Sequence, residues 1–298
     1  MSDTDRESAR MDSPRVKPTA LIGFAIGLGY AVLFLVLEKF LGPSYTDIGK
    51  SADTVLRGIV VPLSICTVVT AGLTTWFGWW RPVLREKPLG VKWMWAIPIV
   101  LAVLVLIGID WAQTSSLGAP YLLWLAVGTL LVGFNEEIVY RGLALVAFRG
   151  AYREVYVWLL ASLLFGLLHG ANVFLGQALV PTIQQIAFAF VLGSVFYVVR
   201  RVTGVLAVPM ILHALWDFGS FSWVGAFAVT KVGPAALAGA NWAGLLMAVR
   251  LPLQLAVIIL CLIGAKKLFS TPVEMAEQDR GGVHDQHYDR LYCRPPNR

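Results

Sequence analysis

Eight stretches of the chain are each close to the ~20 mostly apolar residues that a helix needs to cross a hydrocarbon core. They cover 19–40, 55–79, 93–109, 121–148, 156–175, 183–199, 205–223 and 242–263. This pattern restricts the fold to an all-α, polytopic membrane bundle of about eight transmembrane helices. Composition agrees: 57% of residues are apolar and only 14% charged, which excludes an ordinary soluble domain. The length suits one bundle, 19–268, between a polar N-terminus, 1–18, and a polar tail, 269–298, expected to be disordered. No cleavable signal peptide is evident, so the first apolar run reads as a retained span. The segment 220–241, rich in Gly and Ala and interrupted by Lys231 and Pro234, reads as an outer loop, an interfacial segment or a partial re-entrant.

The net charge of +6 calls for no nucleic-acid partner, because Lys and Arg gather in short loops and tails. Basic residues precede the first span and follow the second, fourth, sixth and eighth. The loops after the third and fifth carry none, and only Lys231 follows the seventh. Lys39, Lys50 and Arg57, around the loop after the first span, run against this trend. The bias places both termini in the cytoplasm. Cys66, Cys261 and Cys293 are scattered and read as packing residues and a tail residue, not as a zinc or disulfide framework. Gly23 and Gly27 form a small-xxx-small pair suited to close helix packing. The tail's His284, Asp285, His287 and Cys293 read as solvated chain.

Within this apolar background a few ionisable residues stand out. Glu136, Glu137 and Arg141 lie in the fourth stretch, His169 in the fifth, and His213 and Asp217 in the seventh. Ionisable groups at bilayer depth cost several kcal/mol, about 2.5–3.5 or more each, and so face a protein interior or a wet cavity. Glu136 precedes the turn near Ala151 by fifteen residues and His169 follows it by eighteen. At helical rise both then sit roughly 22–27 Å along their helices, and His213 and Asp217 roughly 16–22 Å along theirs. Glu137 and Arg141, at i and i+4, share a face and form an ion pair, while Glu136 points elsewhere and faces the cavity. His213 and Asp217 share the same spacing, and Phe165 lies beneath His169.

The run Asn135-Glu136-Glu137-Ile138-Val139-Tyr140-Arg141-Gly142 resembles the EExxxR motif of the CAAX-protease and bacteriocin-processing family of intramembrane peptidases. Phe165 to His169 resembles its FxxxH motif, and His213 to Asp217 its HxxxN or HxxxD motif. The resemblance covers 121–217, which makes 121–218 the expected catalytic core of a multi-pass protein of a bacterial cell membrane. It implies an endopeptidase that hydrolyses membrane-associated or lipidated peptides without a cofactor. Glu136 would activate water with His169, and His213 and Asp217 would stabilise the oxyanion. Glu137 and Arg141 would hold Glu136, and Phe165 would pack His169. One departure concerns Asp217: an asparagine there donates as a neutral amide, whereas Asp217 donates only when protonated.

Two alternatives stay open. Glu136, His169, His213 and Asp217 are also a plausible Zn²⁺ ligand set for a metallopeptidase, although they lack the local HExxH spacing. The same groups suit a proton-coupled transporter or an immunity-type binding protein, though no internal repeat is apparent. A peptide or protein substrate and the lipid bilayer are the expected partners; nothing in the residues fixes the oligomeric state.

Overall fold

The computed structural model describes residues 14–109, 111–230 and 241–273, and they form an all-helical bundle with no β-strand among them. In chain order the helices are α1 (Ala20–Leu41), α2 (Ala52–Phe77), the short α3 (Trp80–Leu84), α4 (Ala96–Ile107), the short α5 (Trp111–Ser115), α6 (Ala119–Arg149), α7 (Glu154–Leu175), α8 (Leu179–Thr203), α9 (Ala207–Thr230) and α10 (Asn241–Ser270). Local chemistry starts them where the apolar runs begin. Thr19 caps α1 by accepting the Ile22 amide at 3.4 Å, and Ser51 opens α2 in a capping box with Thr54.

Six segments among the described residues are long and apolar enough to cross a membrane: α1, α2, α6, α7, α8 and Pro252–Ser270 of α10. The count of eight differs from this at two places. The third predicted stretch becomes Lys92–Ile107, a 3₁₀ turn leading into α4, too short to span by the same criterion. The seventh predicted stretch continues as helix to Thr230, which replaces the loop or re-entrant reading for 220–230. Residues 231–240, and the tail from 274 with its His284, His287 and Cys293, lie outside the described residues.

The pair on α1 is a contact surface, as the small-xxx-small spacing suggests. A Cβ on Gly23 would meet the Phe148 ring at 2.5 Å, and one on Gly27 would meet Leu164 at 3.0 Å, so α1 seats directly on α6 and α7. The Tyr140 hydroxyl donates to the Gly27 carbonyl at 3.1 Å across the same seam. Helix α6 is central, lying against α9, α2 and α1. A Cβ on Gly133 would collide with the Met210 carbonyl on α9, and Asn135 binds α2.

At one end of the bundle the arginines read as topological loop charges are instead buried. Glu86 accepts hydrogen bonds from Arg149 Nη1 (2.9 Å), Arg200 Nε (3.0 Å) and Arg201 Nη1 (3.1 Å). Glu154 adds a second carboxylate, 2.7 Å from Arg149 Nη2, and accepts from the Tyr197 hydroxyl at 2.7 Å. Burial opposes ionisation of Glu86, but the three guanidinium groups outweigh it and hold the carboxyl well below the usual carboxylate range. The segment bearing Glu86 docks on the α8–α9 turn through Glu86 N–Gly204 O (2.9 Å) and Leu206 N–Leu84 O (3.0 Å). Gly204 has φ +73°, and a Cβ there would also strike the Glu86 carbonyl, so both backbone conformation and space require glycine.

Candidate active site

Helices α6, α7 and α9 bring Glu136, His169, His213 and Asp217 to the wall of one cavity of about 530 Å³. The cavity extends to Glu38, Tyr45 and Thr46 on the first helix and its following loop, and to Asn172 and Gln185 on α7 and α8. Apolar residues, among them Phe34, Leu63 and Phe188, complete the wall.

His213 is the hub. Its Nδ1 lies 2.9 Å from Glu137 Oε1, and its Nε2 lies 3.5 Å from Asp217 Oδ2 and 3.7 Å from Glu136 Oε2. The ring stacks on Phe196 of α8 (centroids 4.8 Å apart) and meets the edge of Phe165 (5.7 Å). A carboxylate on one nitrogen and aromatic walls on the ring fix its orientation without help from solvent.

Arg141 lies behind this hub, away from the cavity lining. Its Nη1 is 3.0 Å from the same Glu137 Oε1, but off the line of a hydrogen bond, so the contact is Coulombic, and among the described residues none of the guanidinium nitrogens has a hydrogen-bond partner. Two aromatic rings lie over the guanidinium as well, Phe165 with its centroid 3.9 Å from the guanidinium carbon and Phe196 at 5.6 Å. Phe165 thus serves several neighbours: its ring packs on Arg141, His169 and His213, and its carbonyl lies 3.1 Å from His169 Nδ1. Close approach of α8 makes the arrangement compact, since a Cβ on Gly193 would lie 2.6 Å from Arg141 Nη2 and 2.7 Å from Phe165 Cδ1.

The structure thus brings together all seven residues singled out in the sequence, with two changes to their partners. Glu137 was expected to steady Glu136; its hydrogen bond goes instead to His213. His169 was expected beside Glu136; among the described residues no ion-pair contact joins them, and the imidazole nearest that carboxylate is His213. Two local distortions lie beside these residues. A π-helical segment, Ile138–Leu143, follows Glu137 and alters the register of α6 by one residue, and a 3₁₀ segment begins at His169. Both are backbone adjustments that residue spacing does not reveal.

Asn135 is a further member that spacing alone left without a role. Fully buried, it donates to Thr67 Oγ1 (2.8 Å), Leu131 O (2.9 Å) and Leu63 O (3.2 Å), and accepts from the Thr70 hydroxyl (3.2 Å). It locks α6 to α2 one residue before the two glutamates. The signal for it was an amide in an apolar run, where an unpaired polar group is costly.

Residues 118–219 match the family model of the type II CAAX prenyl endopeptidase Rce1-like proteins. The chain carries an Rce1-like domain. That domain covers about a third of the sequence, from the first turn of α6 into α9, and contains every residue of the cavity constellation on α6, α7 and α9. No curated protein and no solved structure matches the chain. With six apolar helices and an Rce1-like domain at 118–219, the protein is a multi-pass integral membrane protein. Among the described residues no group of three or more His, Cys, Asp and Glu side chains is arranged as a metal's ligand set.

Proposed function

We propose that the protein is an intramembrane endopeptidase that hydrolyses peptide bonds of membrane-associated or lipidated substrates, with Glu136 as the general base. The observation that carries this reading is the convergence of Glu136, His169, His213 and Asp217 from three helices on one cavity, within the Rce1-like domain. Glu136 takes a proton from a water held between it and His169, and the hydroxide attacks the scissile carbonyl carbon. His213, anchored by Glu137, turns Nε2 towards the cavity; with protons on both ring nitrogens it donates to the oxyanion as that charge develops. Collapse of the tetrahedral intermediate breaks the C–N bond, and the proton on Glu136 passes to the leaving amine. Asp217 assists the oxyanion as the protonated acid, the form in which it has a hydrogen to give.

The reading extends to topology. The buried Arg149, Arg200 and Arg201 cluster lies at the end of the bundle where α6 and α8 finish and α7 and α9 begin. Charge bias assigns that end, with both termini, to the cytoplasm. The test of function is a comparison of cell membranes carrying the wild type or Glu136→Gln. Peptides with new termini appear only with the wild type, and their uncut precursors accumulate with the variant. Identical peptide sets in the two membranes would refute the assignment.

A further inference from the structure

The cavity holds a carboxylate that the hydrolytic scheme does not use. Glu38, in the last turn of α1, is 2% exposed and lines the same cavity as Glu136 and the two histidines. Neither of its oxygens has a hydrogen-bond partner among the described residues. The other buried glutamates are partnered: Glu86 by three arginines, Glu137 by Arg141 and His213, and Glu136 by His213 within 3.7 Å. Lys39, next in sequence, is exposed and forms no pair with it. Burial without a cation favours the protonated acid, and a cationic group entering the cavity would favour its ionisation and pair with it.

The surroundings give the same end of the cavity a polar character. Asn172 donates to Gln185 Oε1 at 3.1 Å and lies 3.4 Å from the Tyr45 hydroxyl, which itself lies 3.5 Å from Gln185 Oε1. All three line the cavity with Glu38, and the wall reaches the surface at the exposed Thr46. Gly42 leaves room for the carboxylate, since a Cβ there would lie 2.6 Å from Glu38 Oε2. One wall of the cavity therefore carries a carboxyl group without a hydrogen-bond partner among the described residues, within a hydrogen-bonded polar rim, while the reacting groups occupy α6, α7 and α9.

We propose that Glu38 is a specificity-determining residue, whose carboxylate binds a cationic group of the peptide held in the cavity. That group is a Lys or Arg side chain or the peptide's free amino terminus, and its ammonium or guanidinium would supply the charge that the fold withholds. This inference rests on the peptidase reading and deepens it: the preferred substrates carry positive charge at a fixed distance from the bond that is cut.

The test uses the full-length protein in liposomes with an apolar-anchored peptide library randomised position by position, each peptide made with a free and an acetylated amino terminus. Wild-type protein is expected to cut peptides with Lys or Arg at one position, or with a free amino terminus, at least ten-fold faster than neutral counterparts. The position-dependent arm identifies a side chain and the acetylated arm the terminus. Glu38→Gln is expected to bring that preference within two-fold while neutral peptides are cut as before, and Glu38→Lys to favour Asp or Glu at the same position. An unchanged preference in Glu38→Gln overturns this proposal and leaves the peptidase reading intact. So does a wild-type protein that cuts the library without regard to charge, a result that needs no variant to fold. Absence of cleavage by the wild type overturns the peptidase reading and this proposal with it.

Discussion

Glu137 illustrates how one oxygen can hold a site together. Its Oε1 meets both Arg141 Nη1 and His213 Nδ1, so the carboxylate neutralises one group and orients the other. Removing Arg141 leaves that carboxylate without its permanent counter-charge in a dry interior. Arg141→Ala is therefore expected to lower stability by about 3–5 kcal/mol as well as to abolish activity, measured by thermal unfolding in detergent. A smaller loss follows for Asn135→Ala, about 1–2 kcal/mol for its interhelical bonds to α2, with reduced turnover because Glu136 and Glu137 lose their anchor. That Glu136, Glu137, Arg141, His169, His213 and Asp217 gather at one place was readable from the sequence, because ionisable side chains in apolar runs have few acceptable places. Their pairings were not: that the Glu137 carboxylate meets His213 as well as Arg141 depends on which helices pack together, which residue spacing does not show.

At the scale of elements, helix existence followed from hydrophobic length, and α1, α2, α6, α7, α8 and α10 each contain most of a predicted stretch. The stretch at 93–109 shows the limit of that argument. Apolar character there extends beyond the continuous helix, because part of it is taken up by a 3₁₀ turn. Close helix approach is similarly invisible until partners are known. Gly193 lies where α8 meets Arg141 and Phe165, and Gly193→Ala is expected to displace both, costing about 1–3 kcal/mol and most of the activity. The arginines of α6 and α8 were legible as charges but not as a buried cluster, since Glu86, which gathers them, comes from a loop more than sixty residues away from the nearest of them in sequence. Glu86 titrates below the usual carboxylate range when folded, so its contribution is present above the unfolded value near 4.5 and is lost as pH falls beneath it. Wild type is thus expected to exceed Glu86→Gln in stability by about 3 kcal/mol or more at pH 7, with the gap narrowing on acidification below pH 4.5. A gap independent of pH across that range would contradict the charge-cluster account.

Across the whole molecule, the bundle combines two polar regions with different jobs. The Glu86 cluster ties α6, α7 and α8 together at one end, with every arginine paired. The cavity and the side chains behind it keep carboxylates incompletely satisfied: among the described residues, oxygens of Glu38, Glu136 and Glu137 have no hydrogen bond. Unsatisfied polar atoms in an otherwise well-packed membrane protein are the expected signature of a site that completes itself with water and substrate. That difference was only partly visible in the sequence, which pointed to α6, α7 and α9 but gave no indication that α1 contributes a wall. The most direct test is hydrolysis by purified protein in ¹⁸O-labelled water, followed by mass spectrometry of the products. Wild type is expected to place one ¹⁸O atom in each new carboxyl terminus, and Glu136→Gln, folded to the same melting temperature, to form no product. Labelled product from Glu136→Gln at the wild-type rate would contradict the claim that this carboxylate activates the water.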